Sequence, residues 1–199
     1  MWRHGAELGR VTAKDTCDAA QAQSLDIGAQ QGAALVAIID KERETIFNIL
    51  AHAYDDACEG ARVIDLFAGT GALGIEALSR GATLALFVDD SNEGRALLRA
   101  NVETLGLGGV TRIMRRDATK LGPMPPQDKF TLAFLDPPYG KDLAPRALMS
   151  LRDGAWLADG AICLIEEEAD ATVNLPEGFT LLDRRENGDT QILFARFGA

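Results

Sequence analysis

The sequence predicts an α/β fold: an open, mainly parallel sheet with helices on both faces and an antiparallel hairpin at its end. Three observations carry this. After Gly60, short apolar runs of strand length alternate with amphipathic stretches of helix length. A glycine-rich turn, GTGALG at 69–74, joins the first run to the first of these helices. Residues 179–197 hold two strand-like runs around a Gly-Asp turn. Strand, helix, strand in repetition requires parallel pairing with right-handed crossovers, and this places helices on both sheet faces.

The elements follow in order. Residues 1–39 are rich in Ala, Gln and Gly, and only LVAII (35–39) is densely apolar, so this segment reads as an atypical N-terminal arm, partly disordered or loosely helical. Residues 40–199 form the folded domain. DKERETIFNILAHAY opens on Asp40 as a helix cap with Glu44 in the first turn, and Ile46, Phe47, Ile49, Leu50 and Ala53 make its apolar face. ARVIDLF (61–67) is a strand, ALGIEALSR (72–80) a helix stopped by Gly81, and TLALFVDD (83–90) a second strand. NEGRALLRANVETLG (92–106) is a helix with Leu97, Leu98, Val102 and Leu105 on one side, and TRIMRRDA (111–118) is a third strand. After the turn-rich GPMPPQDK come the strand FTLAFLDPP (130–138), a helix over 144–152 and the strand AICLIEEE (161–168). FTLLDRREN (179–187) and GDTQILFARF (188–197) form the hairpin that closes the sheet edge.

Composition bounds the function. With 199 residues, 47% hydrophobic and 25% charged, the chain suits one globular domain with a small appendage. No apolar run approaches the roughly 20 residues of a membrane span, and no secretory leader pattern opens the chain, so the expected compartment is the cytoplasm. A net charge of −10 argues against a broad basic face for nucleic acid. Local basic patches remain open at Arg112, Arg115 and Arg116, at Arg184 and Arg185, and at Lys41 and Arg43. Cys17, Cys58 and Cys163 are odd in number and widely spaced, which suggests buried, inert thiols and no metal site.

GTGALG satisfies the G-x-G-x-x-G pattern of dinucleotide-binding turns. In an open parallel sheet the ligand lies beyond the carboxyl ends of the strands, so this turn faces the site. Gly69 and Gly71 allow close approach of backbone to a ligand, and Asp89, 20 positions after Gly69, can accept both hydroxyls of a ribose. Any adenosine-bearing cofactor fits this much. Asp65 separates the candidates: a carboxylate at the end of a buried strand needs a partner, and a cationic ligand group would serve. S-adenosylmethionine carries an ammonium and a sulfonium, whereas the pyrophosphate of NAD would be repelled. Asp117, at the end of the third strand, could accept the exocyclic amine of adenine, or could simply cap a helix.

FLDPPYG (134–140) ends the fourth strand, which lies beside the first in a sheet of this kind. Prolines cannot donate to a ladder, so the strand stops and leaves its carbonyls free. The carboxylate of Asp136 and a free carbonyl are two acceptors, which is what a planar NH2 group requires. Tyr139 offers a face on which a base can stack, an interaction worth about 1–3 kcal/mol. The pattern points to methyl transfer onto a planar amine, with no metal or covalent nucleophile.

These motifs resemble a known family. DPPY after the fourth strand is similar to the signature of S-adenosylmethionine-dependent methyltransferases that act on planar amino groups. DLFAGTGALGIEALSRGA (65–82), ERETIFNIL (42–50), FLDPPYG and the GDT hairpin resemble the bacterial small-subunit ribosomal RNA guanine-N2 methyltransferases, over about residues 40–199. The resemblance implies a Rossmann-like, seven-stranded methyltransferase sheet. It implies transfer from S-adenosyl-L-methionine to the exocyclic N2 of a guanine in 16S ribosomal RNA, of the position-966 type; the acidic charge of the chain favours an assembled small subunit as substrate, and a monomer is expected. The cofactor set is Asp65, Phe67, Gly69, Thr70, Gly71, Asp89, Asp117 and Ala118; the catalytic set is Asp136, Pro137 and Tyr139; Pro138, Tyr139 and Arg43 would meet the substrate. One departure stands out. The family leads into the ERETIFN-like helix with a basic hairpin and an Arg-Pro-Thr, whereas residues 1–40 here carry Arg3, Arg10 and Lys14 against Glu7, Asp15, Asp18, Asp26 and Asp40. Transfer to the N6 of adenine or to a glutamine amide, and a non-catalytic cofactor-binding module, are the competing readings.

Overall fold

A computed structural model describes residues 43–198. The arm, with Cys17, Lys41 and the Asp40 cap, lies outside the described residues. A helix covering residues 43–53 (α1) leads to β1 (Arg62–Leu66), α2 (Ala72–Ser79), β2 (Leu84–Val88), α3 (Asn92–Thr104) and β3 (Thr111–Met114). A short 3-10 turn (Ala118–Lys120), β4 (Phe130–Leu135), α4 (Leu143–Asp153), β5 (Leu157–Glu168), β6 (Phe179–Asn187) and β7 (Thr190–Phe197) complete it.

The seven strands form one sheet in the order β3-β2-β1-β4-β5-β7-β6. Pairings from β3 to β5 are parallel, and β7 enters antiparallel between β5 and β6. The central strands are buried on both faces, as parallel strands flanked by helices must be. In β1 and β4 the side chains alternate: Val63, Leu132 and Phe134 join the core beneath α1, α2 and α3, while Ile64, Leu66, Ala133 and Leu135 join the core beneath α4. Phe47 and Leu50 of α1 are fully buried in the first core; Leu148 and Leu151 of α4, with Trp156, are fully buried in the second. The expected alternation, the helices on both faces and the terminal hairpin are all present.

Strand ends differ from the expected ones in a way that matters. The second, third and fourth strands stop at Val88, Met114 and Leu135, so Asp89, Asp117 and Asp136 each stand just past a strand. Their side chains accept hydrogen bonds or face a cavity, and Pro137 has no N–H to extend the ladder. β5 begins at Leu157, earlier than Ala161, because Phe130 pairs with Leu157 across an irregularity in register. Order β3-β2-β1-β4 thus brings the three carboxylates to strand ends along one edge of the sheet.

Candidate active site

At that edge lies a cavity of about 660 Å³, of a size that suits a nucleoside-bearing ligand. Phe67, Asp89, Asp117, Ala118, Asp136, Pro137, Pro138 and Tyr139, all anticipated from the sequence, line it together. They come from four separate loops, after β1, β2, β3 and β4.

Each wall has a local cause. Phe67 leaves β1 with φ of 60°, a left-handed conformation costing about 1–2 kcal/mol for a residue with a Cβ. That turn places its ring against the second core while leaving it at the cavity wall. Asp89 accepts the Gly69 N–H on Oδ2 and the Ser91 N–H on Oδ1, both at 2.7 Å. One carboxylate therefore ties the glycine turn to the first residues of α3. A side chain at Gly94 would put its Cβ 3.2 Å from Asp89 Oδ2 and 3.3 Å from the Gly69 Cα, so the wall is packed tightly from behind. Asp117 caps the 3-10 turn: its Oδ1 accepts from the Thr119 N–H at 2.8 Å and from the Thr119 hydroxyl at 2.7 Å, and chiefly this hydroxyl holds its pKa low. The capping role and a place in the cavity coexist, because Oδ2 is left with only Lys120 at 3.6 Å.

Asp136 opens into the cavity, yet the protein packed around it raises its pKa. The ring of Tyr139 is partly exposed, and its hydroxyl donates to Glu166 Oε1 of β5 at 3.2 Å, which fixes the ring's direction. Behind the cavity, Asp65 is fully enclosed and accepts the Gly74 N–H at 2.9 Å. Burial raises its pKa well above the ordinary carboxylate value, and Asp136 and Asp89 raise it further. The three carboxylates share a negative field that favours a cation.

Other anticipated residues fall elsewhere. Asp65, Gly69, Thr70, Gly71 and Arg43 do not line the cavity. The buried carboxylate of Asp65 has a protein partner at the start of α2, where the helix dipole supports it. Gly71 has φ of 81°, and a Cβ there would lie 2.3 Å from Leu98 Cδ1, so what it allows to approach is the core side chain of α3. Gly69, with φ of 53°, is open on that side. Arg43 sits 3.9 Å from Glu76 of α2. Of the basic clusters, among the described residues only Arg116 reaches the cavity; Arg184 and Arg185 pair with Glu186 and Asp183 on the hairpin. Cys58 and Cys163 are buried, and burial pushes both thiols up to about 12. Among the lining residues that carried no signal in the sequence are Thr119, Lys141 and Arg146. Lys141 follows the DPPYG string and Arg146 lies in the first turns of α4, but neither belongs to a recurring pattern.

No helix among the described residues is long and apolar enough to cross a membrane. They contain no group of three or more His, Cys, Asp or Glu able to hold a metal.

Residues 19–196 match the family described as Conserved hypothetical protein 95. The chain is 36% identical over 151 residues to YlbH of Bacillus subtilis strain 168, a protein named for rRNA methylation, covering 74% of this chain and 79% of that one. It is 32% identical over 152 residues to the ribosomal RNA small subunit methyltransferase D of Haemophilus influenzae, covering 75% and 76%. Among solved structures, Escherichia coli yhhF, whose name calls it a methyltransferase, superposes with a TM-score of 0.68 at 30% identity over 79% of this chain and 85% of its own. With its seven-stranded sheet, its cavity at the strand ends and these relatives, the chain is a methyltransferase and belongs to the family of the bacterial small-subunit ribosomal RNA methyltransferases D.

Proposed function

We propose that this protein transfers a methyl group from S-adenosyl-L-methionine to the exocyclic N2 of a guanine in small-subunit ribosomal RNA, of the position-966 type. The observation that carries this is the convergence of Asp136, Pro137, Pro138 and Tyr139 with Asp89 and Asp117 on one cavity. The donor set fits the cofactor. Asp89 keeps lone pairs for ribose hydroxyls, Asp117 Oδ2 faces an adenine amine, and Phe67 and Ala118 supply apolar walls for the ring. The negative field around Asp65 and Asp89 suits a cationic amino acid moiety and repels a pyrophosphate, which disfavours NAD. Gly69, Thr70 and Gly71 set the course of the turn that borders it.

When bound, S-adenosylmethionine supplies a methyl group on a positively charged sulfur. The protein's part is positioning. Asp136 and the Pro137 carbonyl accept the two hydrogens of the guanine amine and orient its nitrogen, and the raised pKa of Asp136 suits it to take up the proton that the amine loses. Tyr139, held by Glu166, stacks on the base, and Pro138 borders it. The exocyclic amine is occupied in a paired duplex, so the target guanine enters unpaired or flipped. Arg43, away from the cavity, would meet RNA beyond the target nucleotide. A small subunit, where shape and protein contacts assist an acidic chain, is the proposed substrate, and a cytoplasmic monomer the proposed form.

The test is Asp136→Ala. Cofactor affinity, measured by calorimetry, stays within about threefold of the parent, which is under ~0.7 kcal/mol, while transfer is lost. A variant that retains full transfer sinks the assignment.

A further inference from the structure

A second cavity, of about 450 Å³, adjoins the first along α4 and shares Thr119 and Arg146 with it. The charge along this pair of cavities is not uniform. The first cavity is acidic at Asp89 and Asp90, whereas two exposed cations stand elsewhere along it: Lys141, which lines the first cavity, and Arg146, which lies where the two cavities meet. Among the described residues neither is ion-paired; the Arg146 guanidinium only approaches the Thr119 hydroxyl, at 3.5 Å. Asp153, the one carboxylate of the second cavity, is engaged by Arg152 at 2.8 Å. Met149 presents a partly exposed, apolar side chain there, and Pro123 a flat ring. Two unpaired cations, one lining the first cavity and one at its junction with the second, in a chain of net charge −10, match a polyanion that threads from one to the other.

Resting on the RNA methyltransferase reading, we propose that Lys141 and Arg146 hold the phosphates that flank the target nucleotide, and that the second cavity receives the adjoining base of a single-stranded RNA segment. The phosphate contacts set register, and Met149 and Pro123 give the neighbouring base an apolar platform that tolerates any sequence.

The test uses the full chain, labelled S-adenosylmethionine and small ribosomal subunits that lack the modification. The variants are Lys141→Ala, Arg146→Ala and Met149→Glu, all at exposed positions. Each alanine variant is expected to raise KM for the subunits about tenfold and to lower the slope of log(kcat/KM) against log salt by about 1. Met149→Glu is expected to raise KM by a similar factor. Affinity for S-adenosylmethionine alone stays at the parent value in all three. Parent-like KM and salt slope in the variants, beside an active parent, overturn the inference while leaving the function standing. Loss of cofactor affinity in step with KM also overturns it, since the two cations would then serve the cofactor. A parent that methylates no RNA removes the underlying reading first.

Discussion

Asp89→Asn perturbs the point at which the glycine turn, α3 and the cavity are joined. The carboxylate accepts two backbone N–H groups, one on each oxygen, at 2.7 Å. An amide has one oxygen, so whichever way it turns, its NH2 faces either the Gly69 or the Ser91 donor. One charge-assisted hydrogen bond, worth about 1.5–3 kcal/mol, is lost. For a chain of this size that corresponds to a fall in Tm of about 3–12 °C. The same substitution removes half of the proposed ribose acceptor, which weakens S-adenosylmethionine binding by about 10- to 100-fold. Thermal unfolding without ligand reads the first effect and calorimetric titration the second. A Tm unchanged within about 1 °C would refute the claim that Asp89 holds the turn, and unchanged cofactor affinity would refute its place at the ribose.

Four further outcomes follow from the same geometry. Gly71→Ala forces a Cβ to within 2.3 Å of Leu98 Cδ1 at a φ of 81°, and the sum of strain and overpacking costs about 2–5 kcal/mol in chemical denaturation. Asp136→Asn removes a carboxylate whose pKa is raised by burial: the parent loses stability as pH rises above the ordinary value of 3.8 and through the raised one, and the amide does not. The variant's stability advantage in urea titrations is therefore absent below about pH 4 and grows above it. Cofactor affinity falls as the solution is acidified, and the fall begins at a higher pH than ordinary carboxylates would give, because Asp65 takes up a proton early. Tyr139→Phe keeps the stacking face and loses only the 3.2 Å bond to Glu166, so its rise in KM for RNA is smaller than that of Tyr139→Ala, which loses about 1–3 kcal/mol of stacking.

Periodicity made the sheet legible. Ile64 and Leu66 on one face and Val63 on the other are readable as a doubly buried strand, and the DPPY string marks the loop that follows β4, although β4 ends at Leu135, short of the expected 138. The chain order of Asp89, Asp117 and Asp136 placed the cavity once parallel order was inferred. What stayed hidden depends on contacts between distant residues. Gly71 reads as a ligand-approach glycine until Leu98, 27 positions on, occupies the space beside it. Asp65 reads as a carboxylate awaiting a cation until the Gly74 N–H, on the next helix, meets it. Lys141 and Arg146 carry no motif, and only the docking of α4 beside the 3-10 turn brings Arg146 to the junction of the two cavities.

The most direct measurement is methyl incorporation from labelled S-adenosylmethionine into small ribosomal subunits lacking the modification, with naked rRNA and duplex DNA alongside, followed by digestion and identification of the modified base. The account predicts N2-methylguanine in the subunits and none in the duplex. Label found on adenine N6 or on protein, or no label despite cofactor binding, would contradict it.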